Sequence, residues 1–141
     1  MTRDQRWPLD LVIFGGLCAL WSLVLLARVI FDLRAGTDPF EDVLLGVKFY
    51  GSAARVTMAI QAVTIATFGV GMLTRKRWGL VLALIYMAQV IAGHLVFIAR
   101  NFAVESQRIH VRVASLEFPV MLLIALYLWY RGRAVIRGTS V

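Results

Sequence analysis

Residues 53–99 read AARVTMAIQAVTIATFGVGML, then TRKR, then WGLVLALIYMAQVIAGHLVFIA. Two apolar runs, 53–73 and 78–99, flank a four-residue basic link, Thr74-Arg75-Lys76-Arg77. Each run is close to the roughly 20 residues that cross a bilayer as a helix. A link this short forces the two helices into an antiparallel hairpin. This pair decides the fold class, because the rest of the chain repeats its pattern.

Upstream, residues 9–31 form another apolar run, preceded by Arg3 and Arg6. It is longer than the roughly 7–15 residues of a signal-peptide core, and no clear small-x-small cleavage site follows it. The reading is a retained helix, with Asp10 in its first turn, where the dipole favours a carboxylate. Arg28 and Asp32, four apart, can pair on its far end. Downstream, residues 116–131 form a shorter fourth run, with Pro119 tolerable in a first turn. The expected fold is therefore all-α: one domain, residues 1–141, with four transmembrane helices.

Two polar stretches separate these runs. In the first, Asp38-Pro39-Phe40-Glu41 carries an N-cap, a proline at the first helical position and a capping-box glutamate. Phe40, Val43, Leu44 and Val47 follow at helical spacing. This predicts a short amphipathic helix over about 39–50, lying at the interface or over the mouth of the bundle. The second stretch, 100–115, reads as a loop. The alternation Ile109-His110-Val111-Arg112-Val113 hints at an extended piece within it, and Ser115 as cap would place Glu117 in the first turn of the fourth helix.

Composition fits this reading. Hydrophobic residues make up 60% and charged residues 16%, against about 45–50% and roughly 25% in soluble domains. A net charge of +7 could suggest nucleic acid. The basic residues instead cluster at the ends of apolar runs, where they meet headgroups and set topology, so no nucleic-acid partner is expected. Arg3, Arg6, Arg75, Lys76, Arg77, Arg131, Arg133 and Arg137 fall on one side, which predicts cytoplasmic termini. Trp7, Trp78, Trp129 and Tyr130 fit an aromatic belt there, and Phe49 and Tyr50 one on the other side. The expected location is a bacterial cytoplasmic (inner) membrane.

Polar groups within the runs are few, and in lipid these are where function concentrates. On the second helix, Thr57, Gln61, Thr64 and Gly71 form a small and polar stripe, read first as helix packing. On the third, Tyr86, Gln89 and Gly93 share a face, with His94 at its edge. Together with Glu117, Arg55 and Arg100, the residues Gln61, Gln89 and His94 make a candidate polar site at the outer mouth, and Arg28 lies at similar depth. Gly15 and Ala19, with Gly16 and Ser22, form a small-residue packing patch on the first helix, and Gly69 and Gly71 relax the second. Cys18, the one cysteine, reads as a packed small hydrophobe.

No phosphate loop, His-Glu-x-x-His or Gly-x-Ser-x-Gly occurs in the sequence. No catalytic residue, metal site or cofactor is therefore expected. Haem or a quinone enters only through His94, whose sole histidine companion, His110, falls in the loop. Three function classes follow. The first is a non-catalytic accessory or partner-binding subunit of a larger membrane complex. The second is a small transporter or channel, which would need a homo-oligomer to enclose a pathway. The third is a redox or lipid-active enzyme subunit.

Overall fold

The computed structural model of the chain describes residues 7–35 and 41–137, without the side chains of 32–35 and 106. Four helices dominate it: α1 (Leu9–Ala35), α2 (Gly51–Leu73), α3 (Arg77–Asn101) and α4 (Arg108–Arg137). All four are long and apolar enough to cross a membrane. The expected helical bundle is therefore present, and its first three helices lie close to the bounds expected for the first three apolar runs. Arg3, Arg6, Asp38, Pro39 and Phe40, and the side chain of Asp32, fall outside the described residues.

The basic link closes as a Schellman turn. Lys76 N–H donates to the Gly71 carbonyl at 2.8 Å and Arg75 N–H to that of Met72 at 3.0 Å. Arg75 takes the left-handed conformation this cap requires, with φ 58°. Helices α1 and α2 then pack backbone to backbone. A Cβ on Gly69 would lie 2.9 Å from both Ala19 N and Gly15 O, and one on Gly15 would lie 2.7 Å from Met72 Cβ. The small residues read as a packing patch are thus consumed inside the bundle. The main core gathers Leu11, Phe68, Met72, Leu80 and Leu128 toward the end that holds the Schellman turn.

Two expectations are corrected. Within 41–50 there is no interfacial helix. β1 (Glu41–Leu44) pairs antiparallel with β2 (Val47–Tyr50), Leu44 opposite Val47. Leu45 and Gly46 form the two-residue turn, both with positive φ, 52° and 77°, as a type I′ turn demands. Gly46 is needed there twice over, because a Cβ would also lie 2.6 Å from Val96 Cγ1. Phe49, expected in an aromatic belt, packs with Val29, Ala54 and Met58 instead. The two four-residue strands prevail over the capping signals because they dock on α2 and α3, which an isolated helix lying at the surface would not do.

The second correction concerns α4, which begins at Arg108 rather than near 116. A 3-10 turn at Glu105–Gln107 leads into it. Val111 and Ala114, three apart, pack with Phe97 of α3, so helical period wins over the two-residue alternation. Ser115 is consequently not a cap; its hydroxyl donates to the Val111 carbonyl at 2.7 Å. Glu117 and Pro119 lie inside the helix and not in its first turn.

The bundle is uneven. Helix α1 packs closely on α2, and α3 on α4, but α1 and α4 barely touch. They are tied near the Schellman-turn end by Asp10, which accepts from Tyr127 OH at 2.6 Å and from Arg131 Nε at 2.7 Å. Toward the β-hairpin the seam stands open.

Candidate functional site

A cavity of about 620 Å3 fills that seam, walled by all four helices and the hairpin turn. Its volume falls within the roughly 300–1,000 Å3 of small-molecule sites. The half toward the core is apolar, formed by Phe14, Ile65, Phe68, Met121, Ile124 and Leu128. The half toward the hairpin carries the polar groups.

These groups form two linked sets. The first runs from the hairpin across α2 to α3. Asp42 Oδ2 accepts from Thr57 Oγ1 at 2.6 Å and from Gln61 Nε2 at 2.9 Å. Gln61 Oε1 in turn accepts from Tyr86 OH at 3.3 Å. Gln61 lies ten residues into α2, about 15 Å from its start at the helical rise, so this network reaches the middle of the bundle. The ring of Tyr86 rests 5.5 Å from that of Phe68, at the border with the apolar half.

The second set joins α3 to α4. His94 Nδ1 lies 2.9 Å from the Val90 carbonyl, and His94 Nε2 lies 3.3 Å from Glu117 Oε2. A carbonyl only accepts, so the Val90 contact is a hydrogen bond where Nδ1 carries the hydrogen. The contact with Glu117 is then a hydrogen bond only if the pair holds one more proton, on Nε2 or on the carboxyl. His94 is mostly buried, and Glu117 is half exposed along the seam. The Leu45–Gly46 turn rests beside the neighbouring Gly93, where a Cβ would lie 3.4 Å from Leu45 Cα, in ordinary van der Waals contact.

Of the candidate residues, Gln61, Gln89, His94 and Glu117 all face the cavity, whereas Arg55 and Arg100 do not. Thr57 joins the network, but Thr64 only donates back to the Ile60 carbonyl at 2.9 Å. Cys18 lines the apolar half. Asp42 is not among the sequence candidates, because a helix over 39–50 does not by itself bring it against α2. The alternation Val43, Val47 and Phe49 around Leu45-Gly46 was the signal that could have placed it. His110 reaches the cavity because α4 starts a full two turns early.

Among the described residues, no group of three or more histidine, cysteine, aspartate or glutamate side chains could hold a metal ion. The side chains present can accept hydrogen bonds, hold a proton and enclose an apolar body. No protein-family model, curated protein or solved structure matches the chain. The function must therefore be argued from this site.

Proposed function

We propose that this chain is an integral membrane protein that binds a small amphiphile in the seam between α1 and α4. One observation carries the reading: a cavity of about 620 Å3 that is apolar toward the core and polar toward the hairpin. A molecule with one hydrophobic and one polar part matches that division. Its hydrophobic part would enter laterally from the hydrocarbon, where α1 and α4 stand apart.

The orientation we propose follows the basic residues, with the Schellman turn and both termini cytoplasmic and the polar mouth outside. The reading is closer to a transporter or a lipid-active protein than to an accessory subunit. It needs no symmetric assembly, because a single chain walls the cavity. A partner-binding role also has less support here than in the sequence, since Gly15 and Ala19 are occupied by α2.

The test is a pull-down from native membranes in mild detergent, with mass spectrometry of proteins and extractable small molecules. A chain recovered alone with a bound amphiphile supports the proposal. A stoichiometric larger protein, with no small molecule, moves the function to an accessory subunit.

A further inference from the structure

Building on the binding site proposed above, the chemistry of the polar half narrows the ligand class. Two carboxylates, Asp42 and Glu117, line it, yet among the described residues no lysine or arginine does. This is notable in a chain with 15 basic and 8 acidic residues. The described lysine and arginine side chains sit elsewhere, and the cavity collects acids, amides and imidazoles.

Partial compensation is visible for each acid. Asp42 accepts two hydrogen bonds from neutral donors, which stabilise a carboxylate without cancelling its charge. Glu117 faces His94, whose contacts to Val90 and Glu117 are both hydrogen bonds only when the pair holds an extra proton. A cation arriving at Glu117 can take the place of that proton. Aromatic walls complete the picture: Trp21, Phe68 and Tyr86 line the same space, and aromatic faces attract cations, Trp most strongly. In a low-dielectric seam an anion would meet the Asp42 carboxylate and, at best, a Glu117–His94 pair of no net charge.

We propose that the cavity selects an amphiphilic cation, an amine or quaternary onium with a hydrophobic body. The charged centre sits in the half that carries Asp42 and Glu117, and the body fills the apolar half beside Phe14 and Phe68. The chain's overall charge of +7 acts against this preference, so the groups of the site itself must supply it.

Tetraphenylphosphonium and tetraphenylborate have nearly the same shape and opposite charge, so they test it. The full chain, with Trp7, Trp78 and Trp129 replaced by Phe, is placed in phosphatidylcholine nanodiscs. Quenching of Trp21 by each ion is read against protein-free discs. We expect saturable binding of the cation at least about tenfold tighter than that of the anion, a difference of about 1.4 kcal/mol. D42N and E117Q should each weaken the cation by about fivefold or more, measured well below the melting temperature of each variant so that every chain is folded. V113W, which places an indole in the cavity wall, should abolish binding. Equal or tighter binding of tetraphenylborate overturns the cation preference and leaves the cavity reading standing. Cation binding unchanged in both D42N and E117Q also overturns the preference. Absence of saturable, V113W-sensitive binding for both ions overturns the binding site itself.

Discussion

The contact of α1 with α2 and the seam between α1 and α4 are opposite solutions to the same problem. On one side, Gly15, Ala19 and Gly69 remove side chains so that two backbones meet. On the other, Leu17 and Trp21 of α1 face Val113 and Glu117 of α4 across open space, and a polar knot at Asp10 holds the far end. With the four helices crossing a bilayer as proposed, lipid is as apolar as a leucine side chain, so burial alone does not close a gap between them. Close approach needs small residues or polar ties. Where the chain supplies them the helices join, and where it does not a cavity is left.

The comparison breaks most severely at Gly69. Gly69→Leu should prevent folding, and Gly69→Ala should cost about 1–3 kcal/mol, because the added carbon meets backbone on α1 and not a flexible side chain. Thermal unfolding in detergent would check both. If Gly69→Ala melts like the parent chain, the close approach of α1 and α2 is not what holds that side together.

Asp42→Ala comes next. It leaves Gln61 and Thr57 without their acceptor and frees the hairpin from α2, with an expected cost of about 1–3 kcal/mol. Proteolysis within 41–50 should become faster. Asp42→Asn keeps an acceptor and should lie between the two. If the alanine variant resists protease as the parent does, the hairpin is held by its apolar contacts alone.

Asp10→Asn addresses the seam directly and should change shape more than stability. Losing the tie to Arg131 and weakening that to Tyr127 should widen the distance between spin labels on the first turn of α1 and the last turns of α4. The α1–α2 distance should stay fixed. Equal widening of both would mean that the seam is not a separate, looser joint.

The smallest effect is expected at Leu45. A leucine with φ 52° is strained, and asparagine tolerates that conformation. Leu45→Asn should stabilise the hairpin by up to about 1 kcal/mol, read as a slightly raised melting temperature. A lowered one would show that the leucine side chain contributes more by packing than the turn loses by strain.

Hydropathy made the four helices legible, and the 74–77 link made the α2–α3 hairpin legible, because both signals are local and long. The β-hairpin was hidden for a physical reason. Pro39 and Glu41 are good helix-starting residues, and the two strands are only four residues each, too short for period to outweigh caps. The start of α4 was hidden because Ile109, Val111 and Val113 alternate, while the contact that makes it helical, Val111 and Ala114 on Phe97, lies in another element. Gln61, Gln89, His94 and Glu117 could be named as candidates because polar residues in apolar runs are rare. Their convergence depended on helix rotation, which the sequence leaves open. Arg55 and Arg100 share their depth yet lie off the cavity, and Asp42 entered the site only through the misread hairpin.

The central claim is that the seam holds a molecule. Native mass spectrometry of the chain released from its own membrane, compared with V113W and L17W, tests it most directly. The expected result is a bound small molecule of constant mass on the parent chain, lost from both variants while their folded charge-state distribution is unchanged. A parent chain without adduct, or an adduct retained equally by both variants, would contradict the claim.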